Sequence, residues 1–305
     1  MRISMGLKPL AALTLLGMAS AAVATDNIDF SASQKLYEEH CTVCHGAQRI
    51  GAAGPALLPE SLGRIKKPEA NKAISEGRPA SQMAAYKDIL SPAQIESMVE
   101  YLYTPIENPP TWDDADTRAS HRMLMDVSTL SETPLHQADP LNLFVVVEAG
   151  THHVTILDGD KFEPLTRFQS HFALHGGPKF SPDGRFVYFA SRDGWVTKYD
   201  LYNFTMVAET RVGLNTRNLA VSNDGRWVLA GNYLPGNLVL LNADDLTLVK
   251  SIPVIGEDGT ASRVSAVYTA PPRDSFIVAL KDTKEAWELS YAGTPDFTPR
   301  RIIAQ

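Results

Sequence analysis

The chain has 305 residues, a hydrophobic fraction of 44% and a formal net charge of -7 at pH 7. This length allows about two domains with packed cores. The negative charge and the lack of any basic run argue against nucleic acid as a partner. Beyond the first 24 residues no apolar stretch approaches the ~20 residues of a membrane-spanning helix. We therefore expect a globular protein without a membrane span.

Residues 1–24 have the pattern of a secretory signal peptide. Arg2 and Lys8 precede or flank an apolar run from Leu10 to Met18, and the segment ends in small residues at 22–24. Signal peptidase recognises such an ending. We predict that this segment is removed after export, which would leave a net charge of about -9 on the mature chain.

Both cysteines of the chain lie in the motif Cys41-Thr42-Val43-Cys44-His45. Each thiol of such a motif can add to a vinyl group of a porphyrin, and the adjacent histidine then binds the iron. A redox dithiol or half of a zinc site stays an alternative, weakened by the adjacent histidine and the lack of other cysteines. The motif predicts one covalent haem c and no structural disulfide. Together with an export signal it favours a bacterial periplasm.

We predict a small all-α domain over residues 25–105. Ser31 or Ser33 can cap a first helix that ends at the cysteines, and residues 51–58 look like a loop against a porphyrin edge. A second helix ends near Gly77. A third begins with Ser91 as its cap. Its apolar positions share one face and are Ile95, Met98, Val99 and Leu102.

Met83 lies in the segment just before this last helix and is the candidate sixth ligand of the iron. The order of helix, Cys-x-x-Cys-His, Gly-Pro loop, methionine segment and closing helix resembles class I cytochrome c domains. By this resemblance Cys41 and Cys44 hold the haem and His45 and Met83 bind its iron. Family members commonly have proline after the methionine, where this chain has Ala84. A His/Met pair favours a relatively high potential and electron transfer.

Residues 106–140 are predicted to be a linker. The segment carries Pro109-Pro110 and several acidic residues but no long apolar periodicity. We expect one turn or short helix around residues 121–125. The two histidines of the segment, His121 and His136, are expected to be solvated.

From residue 141 onward, short β-branched and aromatic runs alternate with turn residues, which is typical of antiparallel sheet. The run Phe180–Ala190 recurs as Ala220–Ala230, and each copy contains Asp-Gly, which fits a tight hairpin turn with positive φ. A period near 40 residues with about four strands per unit predicts β-propeller blades. Residues 141–305 hold about three to four blades, whereas a closed propeller has 4 to 8. We expect this to be the N-terminal part of a larger propeller.

Three loops at equivalent positions of successive blades carry His175, Arg217 and Arg263. Equivalent blade positions lie at the same end of a propeller, so these side chains are expected to converge. One nitrogen for iron and guanidinium groups for carboxylates would suit a second iron tetrapyrrole. His152 and His153, just before a strand, are expected to be edge residues.

The mature chain as a whole resembles the haem d1 protein family, in which a small c-type domain precedes an eight-bladed propeller that binds haem d1. The most specific segments are residues 174–200 and 216–245. The resemblance implies that His175 binds the d1 iron and that Arg192, Arg217 and Arg263 lie near its carboxylates, with Tyr233 lining the pocket. Haem d1 or dihydro-haem d1 would be bound without a covalent bond.

The sequences at residues 176–185 and 231–238 look most like those of the branch of the family that makes haem d1. It implies a periplasmic oxidoreductase that dehydrogenates a propionate of dihydro-haem d1 to an acrylate and passes the electrons to haem c. The catalytic base cannot be identified from the sequence. Two alternatives stay open: a nitrite reductase of the cytochrome cd1 type, and an electron carrier whose propeller binds nothing.

The same resemblance implies two kinds of protein partner. One is a periplasmic electron acceptor or donor protein, since haem c must exchange electrons one at a time. The other is a cytochrome cd1 nitrite reductase that receives haem d1.

Overall fold

The computed structural model describes residues 29–79 and 81–303. The predicted signal peptide lies outside these residues. The helices found among them are α1 (Ser31–His40), α2 (Thr42–His45), α3 (Pro59–Leu62), α4 (Lys67–Glu76), α5 (Pro92–Tyr103) and α6 (Asp114–Ser120). No helix of these two described ranges is long and apolar enough to cross a bilayer.

The helices α1 and α5 pack around a small apolar core, with Tyr37, Met98 and Leu102 almost fully buried. The cap predicted for α5 is confirmed, because the Ser91 hydroxyl accepts from the amide of Gln94. The cap predicted for α1 is wrong. Phe30 holds the cap position, and the buried Ser33 instead shares a hydrogen bond of 2.8 Å with Ser97 of α5.

The strands of the described residues are β1 (Arg122–Met123), β2 (Leu143–Glu148), β3 (His153–Asp158), β4 (Pro164–Gln169), β5 (Lys179–Phe180), β6 (Phe186–Ala190), β7 (Trp195–Asp200), β8 (Thr205–Arg211), β9 (Asn215–Val221), β10 (Trp227–Leu234), β11 (Asn237–Asn242), β12 (Leu248–Pro253), β13 (Val264–Ala270), β14 (Ser275–Leu280), β15 (Glu285–Ser290) and β16 (Arg300–Ile303). They form four antiparallel sheets in the orders β2-β3-β4, β1-β8-β7-β6-β5, β12-β11-β10-β9 and β13-β14-β15-β16. These sheets are the expected partial propeller, and we number them blades 1 to 4.

Apolar side chains on both faces of β6 join blade 2 to its two neighbours. In β6, Val187 and Phe189 pack toward blade 1, whereas Tyr188 and Ala190 pack toward blade 3. Successive side chains of a strand point to opposite faces, so a strand buried on both faces favours a nearly continuous apolar run such as that of β6. This explains the run of apolar residues that recurs in the sequence.

The repeated Asp-Gly pairs form equivalent turns, but these turns are longer than predicted. Gly184 and Gly225 have φ of 75° and 73°, as expected, whereas Asp183 is not left-handed and the connection from β5 to β6 spans residues 181–185. In both copies a serine hydroxyl closes the loop, since the amides of Phe186 and its counterpart donate to it at 2.9 Å. A two-residue hairpin would need two left-handed residues.

The segment 106–140 is more ordered than a linker. Its helix is α6 rather than a turn at 121–125, and β1 adds an outer strand to blade 2 by pairing with β8. The expectation that both histidines are solvated is wrong. The ring of His121 hydrogen-bonds to the carbonyl of Asp245 at 2.8 Å, and both ring nitrogens of His136 are buried against the stacked ring of Phe204.

The cytochrome-like domain contacts blades 2 and 3 directly. Ala56 and Leu58 pack in one apolar cluster with Leu214, and Leu234 joins its edge. A guanidinium nitrogen of Arg211, at the end of β8, donates to the carbonyl of Ile50 at 2.9 Å. The loop that follows Cys-x-x-Cys-His therefore lies against the propeller.

Candidate functional site

His45 is placed to serve as an axial ligand of iron. Its side chain is buried, and its Nδ1 donates to the carbonyl oxygen of Pro55 at 2.8 Å, which leaves Nε2 free for a metal. The ring packs so closely on Gly54 that a Cβ there would lie 2.9 Å from His45 Cε1. Burial lowers the pKa of His45, so the imidazole stays neutral, which is the form that binds metal.

Both cysteines are free thiols, as covalent attachment of a haem requires. Cys41 ends α1 and Cys44 lies one residue before His45, and both are free thiols at half-buried positions. Burial, with a smaller contribution from Cys44, raises the pKa of Cys41 to about 11. Two unpaired thiols beside a histidine with a free Nε2 fit the attachment of haem c.

Met83 lies in the segment between α4 and α5, which several contacts hold in place. Its carbonyl oxygen accepts from the amide of Arg78 at 3.1 Å, and a Cβ on Gly77 would lie 2.7 Å from the same oxygen. The hydroxyl of Tyr86 donates to the carbonyl of His40 at 2.9 Å. This bond ties the methionine segment to the end of α1, beside Cys41.

His175 lies in the connection between β4 and β5 and repeats the arrangement of His45. Its Nδ1 donates to the carbonyl of Arg217 at 2.8 Å, and its amide donates to the carbonyl of Ala190 at 2.8 Å. Burial and the nearby positive charges of Arg217, Arg192 and Arg64 lower the pKa of His175. The ring is therefore neutral with Nε2 available, as an iron ligand requires.

Arg217 and Arg192 lie near His175, and Tyr233 lies beside Arg217. The guanidinium of Arg217 lies 5.4 Å from the centre of the Tyr233 ring, and burial together with the charge of Arg217 lowers the pKa of Arg192. Nη1 of Arg217 is buried and has no hydrogen-bond partner among the described residues. An anionic oxygen would satisfy it, so this cluster fits the carboxylates of a tetrapyrrole.

Arg263 also lies beside Tyr233, but its guanidinium already forms an ion pair with Asp282. Its guanidinium is 5.2 Å from the centre of the Tyr233 ring, and two of its nitrogens bind the carboxylate of Asp282 at 2.5 and 2.9 Å. This pair lowers the pKa of Asp282 to about 2. The structure thus brings together all five propeller residues that the sequence singled out, but it gives Arg263 a carboxylate of the protein rather than leaving it free.

A cavity of about 350 Å³ between the domains was not foreseen from the sequence. The loop at residues 51–53 and Gln82 line one side, and propeller residues line the other. Among these, His152 is buried rather than at an edge, and the ring of His171 stacks on Trp195 with centroids 4.6 Å apart. The cavity borders the segments that carry His45 and Met83 on one side and the turn that carries Arg192 on the other. The nearest sequence signal was the histidine-rich stretch before His175.

Arg64 was also missed. It lies in the cytochrome-like domain, yet its positive charge is among the smaller causes that lower the pKa of His175 and of Arg192. A lone exposed arginine outside every repeat gives no signal in the sequence, because only the docking of the two domains brings it to the propeller.

Comparisons with known proteins match both halves of the chain. Residues 138–305 match the cytochrome D1 heme domain, and residues 29–102 match the model of cytochrome C oxidase, cbb3-type, subunit III. The chain is similar to dihydro-heme d1 dehydrogenase of Pseudomonas aeruginosa, with 62% identity over 88% of this chain and 55% of that protein. It is 26% identical to nitrite reductase of Stutzerimonas stutzeri, over 92% of this chain and 55% of that protein.

A solved structure, dihydro-heme d1 dehydrogenase NirN in complex with DHE, superposes with a TM-score of 0.83 at 61% identity, over 89% of this chain and 58% of that one. The chain thus spans about half the length of the curated relatives it matches.

Proposed function

The chain belongs to the family of the cytochrome D1 heme domain, and from this premise we propose that it acts in haem d1 formation as an oxidoreductase. Its substrate would be dihydro-haem d1. One propionate side chain loses two hydrogens and becomes an acrylate, and two protons and two electrons leave. The observation that carries the proposal is the buried Nη1 of Arg217, which has no hydrogen-bond partner among the described residues, beside a neutral His175, in a chain 62% identical to a dihydro-heme d1 dehydrogenase.

The residues of the propeller would bind and orient the substrate. His175 would hold its iron through Nε2, and Arg192 and Arg217 would hold its carboxylates through charge-assisted hydrogen bonds. The ring of Tyr233 would hold the guanidinium of Arg217 in place through a cation–π contact. Arg263 would act through Tyr233, since its own charge is matched by Asp282.

The residues of the cytochrome-like domain would hold a haem c through Cys41, Cys44, His45 and Met83. When bound, haem c supplies a one-electron acceptor close to the propeller. Two electrons leave the substrate and one haem accepts one at a time, so a separate one-electron acceptor protein must restore it between the two transfers. Pro55 fixes the ring of His45, and the bond from Tyr86 to His40 holds the segment of Met83.

We also propose that the protein works in the periplasm. Residues 1–24 have the pattern of an export signal, and covalent attachment of haem to a Cys-x-x-Cys-His motif suits that compartment. A cytochrome cd1 nitrite reductase would be the recipient of the finished haem d1.

The test compares the haem c-loaded mature chain with two variants. Wild type, His175→Ala and His153→Ala are incubated with dihydro-haem d1 and a one-electron acceptor, and the tetrapyrrole is extracted and identified. We expect the acrylate product from wild type and from His153→Ala, because His153 lies outside the pocket and bonds to the carbonyl of Thr151. His175→Ala should keep its haem c bands and yield little product.

Two other outcomes would count against the proposal. Binding of the tetrapyrrole with turnover of nitrite instead of dehydrogenation would favour a nitrite reductase. If wild type did not bind the tetrapyrrole at all, the remaining hypothesis would be an electron carrier whose propeller binds no tetrapyrrole.

A further inference from the structure

Arg211, the last residue of β8, joins the two domains through its guanidinium. The side chain is buried, and its Nε donates to the carbonyl of Asp193 at 2.9 Å and to that of Gly213 at 3.2 Å. Its Nη2 donates to the carbonyl of Ile50 at 2.9 Å. Asp193 lies in the turn between β6 and β7, whereas Ile50 lies in the loop after the Cys-x-x-Cys-His motif. One side chain therefore holds the propeller and the cytochrome-like domain together.

The charge of Arg211 has no carboxylate partner. No ion pair of the described residues involves it. Burial of a charge is costly unless hydrogen bonds or an opposite charge compensate. Backbone carbonyls compensate here, and the guanidinium lies 4.7 Å from the centre of the Trp112 ring. An apolar side chain would fill the place without this cost, so stability alone does not require a cation.

The segment between the domains fixes the backbone of Arg211. The amide of Arg211 donates to Oγ of Ser120 at 2.9 Å, and the indole nitrogen of Trp112 donates to the carbonyl of Arg211 at 3.1 Å. Trp112 lies just before α6 and Ser120 is its last residue. The direction in which the guanidinium leaves the propeller is therefore set from the propeller side.

On the cytochrome side, Ile50 lies in a loop whose neighbours are bonded within their own domain. The amide of Gly51 donates to the carbonyl of His45 at 2.9 Å. The guanidinium of Arg49 donates to the carbonyl of Tyr101, in α5, at 3.0 Å. A bond to the carbonyl of Ile50 thus orients the domain that carries the haem c motif, and not only one loop.

Few other contacts restrict rotation at this boundary. The buried centre of the apolar cluster consists of Ala56, Leu58 and Leu214. The bond from Arg211 to Ile50 is the one hydrogen bond that joins residues 29–79 and 81–105 to the described residues from 141 onward. Domains that share a small interface move relative to each other unless something prevents it. A directional bond prevents rotation that apolar contacts alone allow.

We propose that Arg211 is a positioning residue for electron transfer, because it holds the haem c domain in one orientation against the propeller. Electron transfer slows steeply as two redox groups move apart, so a fixed orientation favours it. The turn that Arg211 binds through Asp193 also carries Arg192 of the proposed pocket. The inference deepens the proposed function and rests on it for the identity of the electron donor.

The test separates the rate of electron transfer from binding. Oxidised, haem c-loaded chain is mixed without oxygen with an excess of dihydro-haem d1, and the rate at which reduced haem c appears is recorded. The dissociation constant of the tetrapyrrole is measured with haem c already reduced. We expect Arg211→Met to lower the rate about tenfold, as expected for a misplaced redox group. The dissociation constant and the midpoint potential of haem c should not change.

Arg118→Met is the matched control. Arg118 of α6 also donates to a backbone carbonyl of the propeller, that of Leu248, at 3.2 Å. Its removal should leave the rate at the wild-type value. Arg211→Lys should recover part of the rate, because an ammonium group can still donate to a carbonyl. If Arg211→Met does not fold, Arg211→Lys alone should show a lower rate with an unchanged dissociation constant.

Two results would overturn the inference. One is a rate equal to that of wild type in both Arg211 variants. The other is a rate and an affinity that fall together, because Arg211 would then act on the pocket itself.

Hydrogen exchange of the amides in residues 46–57 gives a measurement that does not depend on the substrate. We expect faster exchange in Arg211→Met than in wild type or Arg118→Met, since the loop is no longer held against the propeller. If dihydro-haem d1 does not reduce the haem c of wild type, the proposed function fails, and faster exchange would still support the orienting role of Arg211. Unchanged exchange in Arg211→Met would contradict that role.

Discussion

His45 and His175 lie in different domains but are oriented in the same way. In each, Nδ1 donates to a backbone carbonyl at 2.8 Å and burial lowers the pKa of the ring. The carbonyl selects the tautomer and fixes the ring, so that Nε2 can bind iron without further rearrangement. The sequence indicates both histidines, one by its motif and one by its place in a repeat. It does not indicate the carbonyl partners, Pro55 and Arg217, because these depend on how the chain returns to each ring.

Met83 and Met98 give a prediction at the same scale. Met83→Leu should keep the covalent haem c but lower its midpoint potential markedly, because a methionine ligand raises the potential of a c-type haem. Met98 is 1% exposed in the core between α1 and α5. Met98→Leu conserves volume and should cost less than about 1.5 kcal/mol of stability while leaving the potential unchanged. Redox titration of wild type and both variants measures these potentials. If Met83→Leu and Met98→Leu had the same midpoint potential, Met83 would not be a ligand of the iron.

At the scale of elements, the repeat predicts the blades well and the segment between the domains poorly. The apolar runs of β6 and β10 and their glycine turns follow from local pattern, because each blade buries both faces of its inner strands. The pairing of β1 with β8 joins residues more than 80 positions apart. A strand of two residues is too short to show an alternating pattern in the sequence. Residues 106–140 are therefore predicted to be a linker.

Lys198 offers a prediction that depends on pH. This side chain of β7 is 2% exposed, and its Nζ donates to the carbonyls of Ala243 and Asp244 in blade 3. Burial lowers its pKa from 10.5 to about 8. Between these values the unfolded chain binds more protons than the folded one, so the free energy of unfolding should rise with pH, by up to about 1.4 kcal/mol per pH unit.

Urea unfolding of wild type and Lys198→Met between pH 7 and 10.5 measures this effect. The difference in stability between the two proteins should stay constant below pH 8 and then move in favour of wild type. Titrating tyrosines act on both proteins alike and cancel. A difference that does not change with pH would mean that Lys198 keeps an ordinary pKa in the folded state.

At the scale of the whole molecule, the two domains are joined by several kinds of contact. The apolar cluster around Leu58 and Leu214, the bond from Arg211 to Ile50 and the cavity of about 350 Å³ all lie at this boundary. The sequence predicts each domain and its own ligands, because motif and repeat are local. It cannot predict that Arg211 bonds to the carbonyl of Ile50, since contacts between domains follow neither helical nor strand periodicity.

The most direct test of the account is the redox state of haem c when the oxidised, haem c-loaded chain is mixed with dihydro-haem d1 without oxygen. We expect the absorbance bands of reduced haem c to appear as the acrylate product forms. Formation of each product releases two electrons and each haem accepts one, so the haem c of a second oxidised chain must act as the other one-electron acceptor, and two haems should be reduced for each product. Haem c that stays oxidised while the tetrapyrrole is recovered unchanged would contradict the central claim.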